Sequence, residues 1–416
     1  MLILKAKKVL SSKFIQNVSW LGAAELINRI FRLGTTVVLA RLFTPQDYGL
    51  VAVIYTVFEF ASVFTLRYGI GAKIVQASEE EVGIVCDTAY WLNWILCGFL
   101  FIIQCLAAFP VARFYSDEQL LLPICTVALI YLTFPIYLIP ASMLQRENRL
   151  KIIALCNAAQ SIVASTATVV LALLNMGVWA VVIPMVLSAP IWIFITWKNH
   201  TWRPPTSFTL EGWQEIASFG GSLFGVELLK KLRSNLDYLI AGKFLGINAL
   251  GMYYFAFNAG LGISLNVINL FSSALLPYLC EARGDLSDLR RRYFSSIEKI
   301  SLVVVPLILL QSSLAPFYVP IIFGSKWVEA VPILMIICLS ALMFPLGITT
   351  NELLNALGKT HITLYWNLIY TILFAGAILI SVNWGLLGVA IGVLLCQTII
   401  LPIFSVWVMK TYFYKV

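Results

Sequence analysis

Ten ionisable residues stand inside apolar runs, where the chain has few other charges. Over residues 18–40 the sequence carries Glu25, Asn28, Arg29, Arg32 and Thr36. On a helix at 100° per residue this spacing puts all five on one face. Over 219–242, Glu227, Lys230, Lys231 and Ser234 share a face, with Asp237 at its edge and Arg233 further round. The run 49–70 adds Glu59 and Arg67. The set is six cations (Arg29, Arg32, Arg67, Lys230, Lys231, Arg233) and four acids (Glu25, Glu59, Glu227, Asp237). Arginine forks and lysine point charges are the usual partners of phosphate, so the surplus of two cations predicts an anionic ligand. A competing reading makes the charges internal ion pairs, because Glu25 with Arg29 and Glu227 with Lys231 have the favourable i, i+4 order. A second alternative has Arg29 and Arg32 snorkelling to an interface.

The elements that hold these residues follow from composition. Hydrophobic residues make up 60% of the 416 and charged residues 12%, whereas a soluble domain has roughly 25% charged residues. No soluble fold of this size can bury so much apolar surface, so lipid must be the solvent. A membrane span needs about 20 apolar residues. Runs of that length fall near 18–40, 49–70, 89–110, 121–141, 152–174, 177–197, 219–242, 250–278, 300–322, 330–350, 362–382 and 385–409. The sequence predicts an all-α polytopic membrane protein with about twelve transmembrane helices. With the N-terminus inside, 18 Lys and Arg fall on cytoplasmic segments and 4 (Arg41, Arg113, Lys243, Lys326) on the opposite links. That asymmetry places both termini in the cytoplasm and accounts for the net charge of +8 without nucleic acid. No signal-peptide cleavage pattern follows the early lysines, so the first span is expected to stay in the mature protein. The eight cysteines show no C-x-x-C pairing and read as reduced packing thiols. His200 and His361 are isolated on loops, which predicts no metal centre. No nucleophile triad, phosphate loop or dinucleotide fingerprint appears, and no organic cofactor is expected.

The chain also repeats itself. A shift of 202 residues carries Leu21, Glu25, Leu26 and Gly49 onto Leu223, Glu227, Leu228 and Gly251, and Arg41 onto Lys243. A shift of 210 carries Pro110, Pro135, Arg149 and Asn157 onto Pro320, Pro345, Lys359 and Asn367, and one of 208 carries Gly177 and Val181 onto Gly385 and Val389. Six spans per half predicts two parallel pseudo-twofold six-helix bundles around a central cavity. The expected divisions are 1–200, a cytoplasmic linker at 201–218, and 219–416. The charged faces of spans 1 and 7 would then confront each other. Prolines inside spans 4 and 10 (Pro123, Pro135, Pro140; Pro332, Pro345) fit either hinged, broken helices or tolerated kinks. Trp91, Trp94, Trp179, Trp192, Trp327, Trp384 and Trp407 read as an interfacial belt.

The segment Ala40-Arg41-Leu42-Phe43-Thr44-Pro45-Gln46-Asp47-Tyr48-Gly49 resembles the motif after the first span of polysaccharide flippases. Leu236-Asp237-Tyr238-Leu239-Ile240 through Phe244-Leu245-Gly246, then Leu250-Gly251-Met252-Tyr253, resembles its counterpart after span 7, and Pro277 matches a proline ending span 8. The resemblance covers essentially the whole chain. It is to the polysaccharide transporter branch of the multidrug/oligosaccharidyl-lipid/polysaccharide exporters, some of which have two further C-terminal spans. It implies alternating-access movement of undecaprenyl-diphosphate-linked oligosaccharide from the cytoplasmic to the periplasmic leaflet of a bacterial inner membrane, for lipopolysaccharide or exopolysaccharide biosynthesis. The cations would hold the diphosphate, and Glu25, Glu59, Glu227 or Asp237 would bind H⁺ or Na⁺ for coupling. The implied partners are the lipid-linked glycan, membrane lipids and glycan polymerase or export machinery. A drug or metabolite exporter is the alternative within transport. A membrane glycan polymerase or ligase is disfavoured because every expected periplasmic link is short.

Overall fold

The computed structural model of the chain describes residues 13–413. Lys5, Lys7, Lys8 and Lys415, together with the side chains of Leu21, Leu26 and Leu223, lie outside the described residues. Among the described residues there are twelve successive helical segments and no strand. They are α1 (Lys13–Leu42), α2 (Pro45–Gln76), α3 (Val82–Tyr115), α4 (Glu118–Arg146), α5 (Leu150–Leu173), α6 (Trp179–Asn199), α7 (Trp213–Leu245), α8 (Ile247–Cys280), α9 (Leu286–Phe323), α10 (Ser325–Ala356), α11 (Thr360–Ser381) and α12 (Gly385–Phe413). Each apolar run of the sequence falls in one of them.

Among the described residues eight stretches are long and apolar enough to cross a membrane, one of them holding both α11 and α12, and the bent α8 makes a ninth. The segments outside that set are α1 and α7, which carry eight of the ten charges singled out above. Side chains such as Phe194, Leu302, Phe317 and Trp384 stand exposed, as they must where the solvent is lipid. Helix α9 has 38 residues, about 57 Å at 1.5 Å per residue, against about 30 Å of hydrocarbon, so part of it lies beyond the bilayer. Asp285 starts it. The Ser287 hydroxyl and the amides of Asp288 and Ser287 donate to its carboxylate and hold it below the usual carboxylate range.

The chain forms two compact units. One takes residues up to Phe43 with Val53–Leu232, the other takes Thr44–Ala52 with the chain from Arg233 on. In the first unit α1 runs along α5, α5 packs on α6, and α3 packs on α4. The 201–218 connector is tied to α3 there: Thr88 donates to the Glu211 carbonyl at 2.7 Å and the Trp91 indole to that of Ser207 at 2.9 Å. In the second unit α8 packs on α9 and α10, and α12 packs on α10 and α11.

The halves repeat the same irregularities. The α-helical ladder of α4 gives way to a 3₁₀ turn at Leu129–Thr133, and that of α10 at Ala341–Met343. Each resumes at a Phe-Pro pair, Phe134-Pro135 and Phe344-Pro345. Proline has no N–H and fits the first turn of a helix, where none is needed. These prolines therefore start new α-helical stretches within spans that run on without a sharp bend. Tyr131 donates to the Gln104 side chain (2.7 Å), which donates to the Ile124 carbonyl (2.9 Å), answering a buried acceptor near the break. The end of α4 turns through Asn148 (φ 56°) and that of α10 through Gly358 (φ 71°), 210 residues apart. The left-handed turn lets the next amides, Arg149 and Lys359, reach back to the carbonyls of Leu144 and Leu354. Helix α2 breaks at Phe64–Leu66, and α8 bends by 53° between Gly262 and Val267.

The Thr44–Gly49 motif has a physical reason at each position. Thr44 caps α2: its N–H and hydroxyl donate to Asp47 Oδ2 at 2.9 and 2.7 Å, and the Asp47 N–H returns to Thr44 Oγ1 at 3.2 Å. Pro45 takes the first helical position. Tyr48 packs edge-on to Trp327 (4.9 Å), which stacks on Phe255 (4.0 Å). Trp327 is fully buried, so it belongs to the core and not to the interfacial belt. Gly49 and Gly251 let two backbones cross within the second unit. A Cβ on Gly49 would collide with the Ile247 carbonyl. One on Gly251 would collide with that of Pro45 and lie 2.7 Å from the Gly49 nitrogen. Pro45 and Ile247, like Gly49 and Gly251, are 202 residues apart, so the contact is the same from both sides.

This crossing predicts that Gly49→Ala and Gly251→Ala each cost about 1–3 kcal/mol, the usual range for forced overpacking. Gly98→Ala, with open space around its Cα, is the control. Thermal unfolding of the detergent-purified chain should show lower Tm values for the first two and not for the third. Equal Tm values would contradict the close approach.

Candidate substrate site

In the first unit α1 brings Glu25 and Arg29 into the expected pair, with Nε to Oε1 at 3.0 Å. Ser161 of α5 donates to Asn28 Oδ1 at 2.7 Å on the same face. Glu227 lies 3.7 Å from Lys230, one step short of the expected i, i+4 pairing with Lys231. Lys231 reaches α2 instead, with Nζ 3.1 Å from Glu59 Oε2. The backbone carbonyl of Arg32 is taken by Thr36 at 2.8 Å, and its guanidinium and Glu59 both act electrostatically on Tyr55. Arg32, Tyr55, Glu59 and Lys231 thus form one polar region drawn from α1, α2 and α7. These pairs are partly exposed, and each such pair contributes only about 0–1 kcal/mol.

Arg67 is set apart. It begins the second part of α2, just after Leu66 (φ 51°, ψ 17°). That left-handed conformation costs a non-glycine residue about 1–2 kcal/mol. Asn93 donates to the Thr65 carbonyl at 3.0 Å, anchoring the break. Arg67 Nη2 donates to the Tyr68 hydroxyl at 3.1 Å, and the guanidinium lies over the rings of Tyr68 (4.9 Å) and Phe134 (5.2 Å), with the Tyr137 hydroxyl also in reach.

Arg233 and Asp237 belong to the second unit. Arg233 donates to the Asn367 side chain of α11 and lies 5.8 Å from the Tyr370 ring centroid. Asp237, one turn later, is turned away to α8 and buried, where the Tyr253 hydroxyl donates to Oδ2 at 2.8 Å.

Three of the six cations therefore have a carboxylate, namely Arg29, Lys230 and Lys231. Arg32, Arg67 and Arg233 have none among the described residues. Of the acids, Glu25, Glu59 and Glu227 are ion-paired, whereas Asp237 is held by the Tyr253 phenol and the Tyr238 N–H (3.0 Å). Nothing in the sequence marks Tyr55, Tyr68 or Tyr137 as partners, and Tyr253 stands out only as the last residue of the motif after span 7. For Asn367 the available signal was the repeat that marked it as the equivalent of Asn157. Trp192 also departs from the belt reading, since its indole donates to Gln160 at 2.8 Å inside the first unit.

These features define an all-helical, multi-pass membrane protein. It is similar in fold to an inward-facing multidrug resistance transporter of the MATE family (TM-score 0.73, 16% identity, 92% of this chain and 94% of that one). It is also similar to the lipid II flippase MurJ in an inward closed conformation (TM-score 0.71, 12% identity, 94% and 87%). The model of the family described as polysaccharide biosynthesis protein matches residues 38–332, and the chain belongs to that family. Among its relatives is the lipopolysaccharide biosynthesis protein WzxC of Escherichia coli (strain K12), 27% identical over 411 residues, covering 96% of this chain and 81% of that protein.

Proposed function

We propose that the protein is a flippase moving lipid-diphosphate-linked oligosaccharide, on undecaprenyl diphosphate, from the cytoplasmic to the periplasmic leaflet of a bacterial inner membrane, with both termini cytoplasmic. The observation that carries this reading is the set of cations with no carboxylate among the described residues, Arg32, Arg67 and Arg233, each on a run that the sequence assigns to the membrane. An uncompensated cation in a medium of low dielectric is costly, and a diphosphate supplies the missing charge. The family and the relative named for lipopolysaccharide biosynthesis agree with a glycan substrate. The likeness to a multidrug transporter supports drug or metabolite export as the second reading. A cationic surplus opposes it for cationic drugs.

Arg32→Ala, Arg67→Ala and Arg233→Ala should lower polysaccharide export in cells at least tenfold with membrane abundance near normal. Arg29→Ala and Lys231→Ala should also lose export, because their carboxylates would then repel the anion. Arg↔Lys exchanges should be milder. Normal export by all five alanine variants would return the charges to structural pairing.

Coupling to an ion rests in this reading on Asp237, since Glu25, Glu59 and Glu227 already have cations. A buried carboxylate held by neutral donors, here the Tyr253 hydroxyl and the Tyr238 N–H, can take a proton without breaking an ion pair. Asp237→Asn should keep substrate binding and remove any dependence of transport on a H⁺ or Na⁺ gradient. A variant whose transport still follows the gradient would exclude Asp237 as the coupling group.

A further inference from the structure

Arg67 is held in a way that the other cations are not. A guanidinium has five N–H donors. Here the Tyr68 and Tyr137 hydroxyls are its side-chain acceptors, two neutral groups against a full positive charge. The rings of Tyr68 and Phe134 lie 4.9 and 5.2 Å from its Cζ. The aromatic array continues away from it: Tyr137 leans on Trp192 at 5.2 Å, Phe134 meets Tyr131 at 5.9 Å, and Tyr131 stacks on Phe58 at 5.5 Å. The Tyr68 ring differs from the rest, being 63% exposed. The same residue therefore presents a hydroxyl to the cation and an open aromatic face beside it. Leu66 in its left-handed conformation, with Asn93 on the preceding carbonyl, holds the pair Arg67-Tyr68 in this direction.

A cation with unused donors next to an open aromatic face matches a sugar phosphate. The phosphoryl oxygens accept from the guanidinium, and the C–H face of a pyranose lies on a phenol ring while its hydroxyls meet polar edges. A bare phosphate would use only the first half of this arrangement, and an apolar tail neither. The rest of the polar region in this unit, Glu25–Arg29 and Glu59–Lys231, offers charge, and the ring among its described residues, Tyr55, is not exposed as Tyr68 is.

Resting on the flippase reading, we infer that Arg67 and Tyr68 form a sugar-phosphate subsite that contacts the sugar nearest the diphosphate, so that Tyr68 makes the protein distinguish a glycosylated carrier from the bare one. Arg67 lies near the Gln76 end of α2, the end that the charge asymmetry assigns to the cytoplasm. The subsite thus serves loading from the leaflet where the glycan is built.

The test uses the full-length protein in nanodiscs, with a short-chain prenyl diphosphate and the same molecule bearing one hexose as the two probes. Binding is read by calorimetry. The wild type should bind the hexose-bearing probe about tenfold more tightly, the scale of one aromatic contact. Tyr68→Ala should bring the ratio of the two affinities close to one, and Tyr68→Phe should preserve it. Arg67→Gln should weaken both probes. A wild type that binds both probes equally, or a Tyr68→Ala variant that keeps the wild-type ratio, overturns the subsite and leaves the flippase reading standing. A wild type that binds neither overturns both.

Discussion

A guanidinium or ammonium at membrane depth has to be answered by an acceptor, and the arrangement of polar groups in this protein follows from how that demand is met. Lys231 takes Glu59, Arg29 takes Glu25 and Lys230 takes Glu227. Arg67 is given phenols and ring faces, and Arg233 an amide and a ring. The first group can hold its charge indefinitely without a ligand. The second keeps donors and charge in reserve. A transporter of anions needs that asymmetry, because a cavity neutralised throughout by its own acids would have nothing to offer a diphosphate.

The polar groups keep their places because the backbone around them is irregular in a prescribed way. The break at Leu66 sets the direction of Arg67. The Phe134-Pro135 restart of α4 puts Phe134 under that guanidinium and Tyr137 beside it. The second half repeats the plan, with the Phe344-Pro345 restart, the bend of α8 and the left-handed Gly358. At the start of α2 the Thr44–Asp47 cap and the Gly49–Gly251 crossing fix one end of the helix that carries Glu59 and Arg67. A motif that reads as a family mark in the sequence is thus a helix cap, a first-turn proline, an aromatic anchor and a close backbone approach placed in succession.

Much of this was legible beforehand, for identifiable reasons. Hydrophobic runs of about 20 residues locate helices in lipid well, because a single segment can satisfy its own backbone there only as a helix. The repeat was visible because its prolines, glycines and loop cations recur at fixed offsets. The i, i+4 rule found Glu25 with Arg29, but it misplaced the partner of Lys231. That partner is on another helix, which periodicity along one helix cannot see. The break at Leu66 has neither proline nor glycine to announce it. Trp327 carries no mark that separates a core tryptophan from an interfacial one, since both follow apolar runs. The Gly49–Gly251 crossing was half visible: the two glycines were recognised as equivalents, but their mutual contact is a tertiary fact.

The central claim is that the cations without carboxylates carry a lipid diphosphate across the membrane. The direct measurement is translocation of a fluorescent undecaprenyl-diphosphate oligosaccharide in proteoliposomes, followed by loss of accessibility to an external quencher. The account predicts protein-dependent translocation that is competed by excess unlabelled glycan diphosphate and lost in the combined Arg32, Arg67 and Arg233 alanine variant. Translocation at the protein-free rate, or unchanged translocation by that variant, would contradict it.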